Sequence, residues 1–214
     1  MGLGIKASAT RRAGPLPELP TAGPRPRAVV AAVKPYDTGP ESDAADLFLD
    51  ENEAPSVLPG TQAALQSLDA SSVRCYPEVR AFRRLLAERY GVEPERVFVS
   101  AGADESLDRL CRAFLEPGRE AIFAVPTFDM LPRYASLAGA TVVSVPWPRG
   151  EFPTDGVLAA VTERTGLIAV VSPNNPTGAA ARVRDLERVA AGAGPALVVA
   201  DLAYAEFADE DLTE

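Results

Sequence analysis

The feature that most constrains this fold is a series of short apolar runs that do not alternate with polar residues. Ala121 to Val125, Leu167 to Val171 and Ala196 to Ala200 are apolar at every position. Successive side chains of a strand point to opposite faces, so an unbroken apolar run is a strand that needs cover on both sides. Thr141 to Val145 and Val97-Phe98-Val99 add two further strand candidates. A mostly parallel sheet with helices on both faces meets that need, which makes the expected class α/β.

The segments between the strands carry helical spacing. Val79, Phe82, Leu86 and Tyr90 recur on one helical face, and Gly91 provides a stop. Leu107, Leu110, Cys111, Phe114 and Leu115 form a second stripe, ended by Pro117-Gly118. Helices are also expected over Asp129 to Leu137 (closed by Gly139), Asp155 to Val161 and Arg182 to Ala191. Residues 1–45 are rich in Pro, Gly, Ala and Arg and read as a largely mobile arm, with a short helix near Ala28 to Val33. A strand at Leu47-Phe48-Leu49 then opens an organised domain over residues 46–214.

Composition removes several kinds of chemistry. The chain has no histidine, which excludes Ser-His-Asp and Cys-His catalysis and imidazole-bound zinc within it. Cys75 and Cys111 lack metal-ligand spacing; they read as small buried hydrophobes in a reducing compartment, and no metal site is expected. A net charge of -9 argues against a general nucleic-acid binder. No stretch is long and apolar enough to span a bilayer, and Arg11-Arg12 leads into Ala-Gly-Pro-Leu-Pro rather than a signal core. Lys6 stands where a myristoylation signal needs Ser or Thr, so a cytoplasmic protein is expected.

Ligands of a parallel sheet bind beyond the carboxyl ends of its strands. The turns there are Ser100 to Asp104, Pro126-Thr127-Phe128, Ser172-Pro173-Asn174-Asn175-Pro176-Thr177-Gly178, and Asp201 to Tyr204. The turn into the helix after Ser100 presents free N–H groups and a positive dipole end, which suits a phosphate, with Gly102 and Ala103 leaving room for it. The same residues also fit an ordinary tight turn. Asn175 to Gly178 fits a plain turn, Asp201 a helix cap, and Tyr204 core packing. Each reading stands singly; the ordered set at successive strand ends is harder to reach by chance.

The ordered set resembles the fold-type I pyridoxal-phosphate aminotransferases, most closely the histidinol-phosphate aminotransferase branch. The matching pieces are Lys34-Pro35-Tyr36, Leu49 to Pro55, Arg74-Cys75-Tyr76-Pro77-Glu78, Gly102-Ala103-Asp104-Glu105, Ser172 to Gly178, and Ala200 to Tyr204. The resemblance implies that Asp201 pairs with the pyridinium nitrogen of pyridoxal 5'-phosphate. Asn175 and Tyr204 would hydrogen-bond the ring's phenolic oxygen, and Phe128 would stack on the ring, where the branch commonly has tyrosine. Backbone N–H groups of Ala103 and Asp104 would hold the phosphate. Tyr76 would reach the phosphate of a neighbouring subunit in a homodimer. A carboxylate suits the place of Asp201, because opposite unit charges ~4 Å apart at an effective dielectric of ~20 attract by about 4 kcal/mol. That attraction could raise the ring nitrogen's pKa by up to ~3 units before desolvation is subtracted.

Two departures affect the expectation. Leu202 replaces a common acidic residue, and no lysine follows Lys34, whereas the family's Schiff-base lysine lies downstream of the Asp-x-Ala-Tyr segment. The expected reading is therefore the amino-terminal portion of an enzyme of histidine biosynthesis that moves an amino group between glutamate and imidazole acetol phosphate. The 214-residue fragment alone is expected to be inactive and poorly soluble, with no catalytic residue of its own and without the small carboxy-terminal domain. A lyase or decarboxylase of the same branch, and a degenerate product without catalysis, are the alternatives.

Overall fold

A computed structural model describes residues 27–34, 52, 56–210 and 212. Strands β1 (Glu120–Val125), β2 (Thr141–Pro146), β3 (Thr165–Val171) and β4 (Leu197–Asp201) form a sheet in the order β2-β1-β3-β4. All three neighbouring pairs are parallel, with Ile122 opposite both Val143 and Ile168, and Ile168 in turn opposite Val198. Eight helices accompany the sheet among the described residues: α1 (Ala28–Ala32), α2 (Thr61–Gln66), α3 (Ala70–Arg74), α4 (Val79–Tyr90), α5 (Gly102–Phe114), α6 (Met130–Ala138), α7 (Thr154–Ala159) and α8 (Val183–Gly192).

The unbroken apolar strands split their side chains between two cores. Ile122, Ala124, Ile168 and Val170 pack with Val157 of α7, Val189 of α8, Trp147 and Phe152. The intervening residues Ala121, Phe123, Leu167, Ala169 and Val171 pack on the other face with Leu107 and Cys111 of α5 and Leu131 and Ala135 of α6. Burying a side chain such as Ile122, Ile168 or Leu131 contributes about 1.5–3 kcal/mol each, and all three are 0–1% exposed. The expected α/β architecture with helices on both faces is therefore present.

The path of the chain fixes where a ligand pocket can form. From β1 the chain moves outward to β2 through α6 on one face; from β2 it crosses back to β3 through α7 on the other, and continues to β4 through α8 on that same face. Direction and face reverse together, so the three crossovers share one hand, as the chirality of parallel sheets requires. Connections leave β1 and β3 in opposite directions, which opens a crevice at their carboxyl ends.

Helix ends follow the sequence signals. α4 and α6 stop at Gly91 and Gly139, which adopt left-handed φ of 61° and 93°. The expected Asp155 helix begins at Thr154 and the Arg182 helix at Val183, with Arg182 as its cap.

Other expectations need correction. Val97 is extended, but Val97-Phe98-Val99 joins no ladder among the described residues, and Phe98 is 61% exposed. A strand requires a paired neighbour, and this segment has no ladder partner among the described residues. Cys111 is buried as expected, but Cys75 is exposed, because it caps α3 away from both cores. Leu47-Phe48-Leu49 lies outside the described residues, as do Pro35-Tyr36, most of the arm, and Leu49 to Pro55 apart from Asn52.

Candidate functional site

The crevice at the ends of β1 and β3 holds a cavity of about 250 Å³, lined from four elements. Ala101, Gly102, Ala103 and Asp104 come from the start of α5, and Phe128 from the loop after β1. Val171 ends β3, Asn175 lies in the loop after it, and Asp201, Ala203 and Tyr204 come from the end of β4 and its turn.

The entrance to α5 is built to present backbone donors. The Glu105 carboxylate turns back to accept the Ala101 N–H at 2.6 Å and also pairs with Arg109. These two hydrogen bonds hold its carboxyl below the usual range, the backbone one foremost. Ser100 Oγ donates to the Gly102 carbonyl at 2.8 Å and shares a bond of 2.7 Å with Ser106 Oγ. Gly102 has φ +82°, a left-handed conformation that other residues rarely adopt, and open space where a Cβ would sit. The first turn of a helix has no intrahelical acceptors for its N–H groups, and Gly102, Ala103 and Asp104 of that turn line the cavity at the positive dipole end.

Asp201 is the last residue of β4 and is only 8% exposed. Its Oδ1 accepts the Ala203 N–H at 3.1 Å, so it closes its own turn. Burial raises its carboxyl above the ordinary range; the Ala203 bond opposes this, and the charge of Asp104 adds to it. Tyr204 Oη accepts a bond from Asn52 Nδ2 at 2.9 Å and keeps its own proton to donate. Phe128 and Asn175 are half-buried and frame the same cavity.

Six of the seven residues singled out in the sequence, Ala103, Asp104, Phe128, Asn175, Asp201 and Tyr204, therefore border one cavity. Tyr76 does not; it stands between α3 and α4 with its ring fully exposed. Sequence reasoning missed Val171, which floors the cavity, and Ala203, whose N–H anchors Asp201. The position of Val171 as the last apolar residue before Ser172 was the available signal. Lys34, the one described lysine, borders a separate depression between α1 and α6, and its carbonyl accepts a bond from Arg133. Among the described residues no cluster of Cys, Asp and Glu could hold a metal ion. No helix among them is long and apolar enough to cross a membrane.

The chain is similar to curated histidinol-phosphate aminotransferases. It is 34% identical to the protein of Granulibacter bethesdensis, over 87% of this chain and 52% of that one. It is 38% identical to the protein of Dehalococcoides mccartyi, over 77% of this chain and 46% of that one. It thus spans about half the length of the curated relatives it matches. Among solved structures, it matches the N-succinyldiaminopimelate aminotransferase of Mycobacterium tuberculosis with a TM-score of 0.57 at 32% identity, over 67% of this chain and 41% of that one. A family model, "Aminotransferase class I and II", matches residues 46–214. With that family's sequence pattern and its fold both present, the chain belongs to the class I and II aminotransferases.

Proposed function

We propose that residues 46–214 form the cofactor-binding domain of a histidinol-phosphate-type aminotransferase, which moves an amino group between glutamate and imidazole acetol phosphate. The class I and II aminotransferases depend on pyridoxal phosphate. The observation that carries the proposal is the single cavity bordered by a buried carboxylate, an amide, a phenol, an aromatic face and an open helix start.

These residues fit the cofactor. A buried carboxylate held above its ordinary range is relieved by a cation, and a protonated ring nitrogen is one. The bare start of α5, with open space at Gly102, suits a phosphate. When bound, pyridoxal phosphate supplies an electron sink for charge at the amino-bearing carbon. Asp201 would keep the ring nitrogen protonated. Asn175 and Tyr204 would donate to the ring oxygen, and Phe128 would cover one ring face. The backbone N–H groups of Ala103 and Asp104 would hold the phosphate.

The partners proposed are a small-molecule amino donor and a keto acceptor in the cytoplasm, with neither nucleic acid nor membrane involved. Tyr76, exposed on this chain, would serve the phosphate of a second subunit in a homodimer. Lys34, the one lysine among the described residues, lies apart from the cavity and so would not serve as the covalent anchor. The chain by itself would hold the cofactor without turnover. No observation favours the lyase reading over the transferase one.

The test has two parts. The DNA after codon 214 should continue in frame to a Ser-x-x-Lys segment, and the complete product should transaminate histidinol phosphate with 2-oxoglutarate. A complete product that prefers aspartate or an aromatic amino acid would refute the substrate assignment. Failure of the 214-residue chain to bind pyridoxal phosphate would refute the pocket assignment.

A further inference from the structure

Asn174 precedes the cavity residue Asn175 and is itself 2% exposed. Its side-chain nitrogen makes two hydrogen bonds. One, at 2.9 Å, goes to the Pro126 carbonyl in the loop after β1; the other, at 2.8 Å, goes to Thr177 Oγ1 within its own loop. Its backbone is fixed as well, with N–H donating to the Ala179 carbonyl at 2.8 Å and carbonyl accepting from the Gly178 N–H at 2.7 Å. Its Oδ1 is buried with no hydrogen-bond partner among the described residues. A buried, unpaired acceptor carries a desolvation penalty. The amide is therefore used for its donor face alone, and the donor bond that leaves its loop is the one to Pro126.

That bond joins the two arms that frame the cavity. Pro126 lies two residues before Phe128, and Asn174 lies one residue before Asn175. The crevice between β1 and β3 separates these arms, and no backbone ladder extends past the strand ends to hold them. We infer that Asn174 is a positioning residue, whose donor bond to Pro126 sets the spacing between the Phe128 ring and the Asn175 amide. The inference rests on the proposal that pyridoxal phosphate occupies this cavity.

The experiment uses the 214-residue chain with 4-deoxypyridoxine 5'-phosphate. This probe has the ring and the phosphate but no aldehyde, so neither lysine can capture it covalently. Affinity and the circular-dichroism band acquired by the bound ring are both measured. Asn174→Ala should bind about tenfold more weakly, the loss expected for one strong hydrogen bond at ~1.4 kcal/mol, with an altered ring band. Thr177→Val, which leaves the Pro126 bond in place, should keep a ring band like that of the unmodified chain. Asn174→Asp adds a pH profile. Its neutral carboxylic acid can donate to Pro126 and its carboxylate cannot, so affinity relative to the unmodified chain should recover toward acid pH. Taking that ratio at each pH removes the titration of Asp104, Asp201 and the probe's phosphate, which the two proteins share. If Asn174→Ala does not fold, the Asp profile decides.

An unchanged affinity and ring band in Asn174→Ala, a flat Asp profile, or an equal loss in Thr177→Val would each overturn the inference. Absence of probe binding by the unmodified chain would be a different result: it would remove the reading of the pocket, and the positioning role with it.

Discussion

The Ser172 N–H donates to the Asp201 carbonyl at 3.0 Å, so the end of β4 that bears the carboxylate is fixed where β3 leaves the sheet. Asp201 is thus held at two points, its main-chain carbonyl by the Ser172 N–H and its carboxylate by the Ala203 N–H.

This arrangement predicts opposite effects on stability and function. Burial holds the Asp201 carboxyl above its ordinary range. Between the ordinary and the raised value the folded chain keeps a proton that the unfolded chain has lost, so stability falls as pH rises through that window. Asp201→Asn should raise the unfolding midpoint of the ligand-free chain at pH 7. The gain should vanish at pH values below the ordinary carboxylate range. In the complete enzyme the same change should slow transamination by about 100-fold or more, the equivalent of ~3 kcal/mol. Urea titrations at several pH values and steady-state rates check the two halves.

Gly102→Ala tests the entrance to α5. The left-handed backbone there costs a residue with a Cβ about 1 kcal/mol, although the space around it is open. The unfolding free energy should fall by that amount. Binding of pyridoxal phosphate should weaken further, because the new methyl projects into the cavity margin; calorimetric titration reads the difference.

Thr154 and Asp185 form a second, unrelated test. Thr154 Oγ1 donates to Asp185 Oδ1 at 2.6 Å, and the Arg182 N–H donates to Asp185 Oδ2 at 3.0 Å, with both side chains buried. Asp185→Ala leaves these two donors without their acceptor and should cost about 2 kcal/mol. Adding Thr154→Val removes one stranded donor, so the double variant should lose less than the sum of the single losses by about 0.5 kcal/mol or more. Chemical denaturation of the four proteins completes the cycle.

Trp147, the only tryptophan, is 2% exposed and meets Phe152 edge to face with ring centroids 5.1 Å apart. Its Nε1 donates to the Gly150 carbonyl at 3.1 Å. Phe152→Ala should cost about 3 kcal/mol through the cavity it leaves. It should also shift tryptophan emission to longer wavelength in the folded state, a change that fluorescence reads directly.

The sheet and its core helices were legible because the signals for them are local. Apolar runs at Ala121 and Leu167 demand two-sided burial, and glycines 91 and 139 stop helices through their own backbone freedom. The short helices α2 and α3 were not legible, since they bury no side chain and so carry no apolar stripe. α3 is set instead by Asp69, which accepts the Ser72 N–H at 2.8 Å and a bond from Ser71 Oγ at 2.7 Å. The grouping of Phe128, Asn175, Asp201 and Tyr204 could be read from strand order. The place of Asn174 could not, because its meaning lies in a carbonyl 48 residues away.

The split of each buried strand between two cores has a consequence for misfolding. Where one face of a strand is wet, sliding it by one residue exposes apolar groups and is penalised by polarity. Here both faces are dry, so a slipped β1 or β3 would look equally greasy from either side. Only bulk tells the alignments apart, as when Phe123 is exchanged for Ala124. The polar groups at the strand ends then act as stops. Glu120 is pinned at the start of β1 by Thr162 Oγ1 at 2.6 Å and by Arg164, while Ser172 is tied to Asp201 at the far end. Removing the Glu120 stop should therefore loosen the register of β1 against its neighbours.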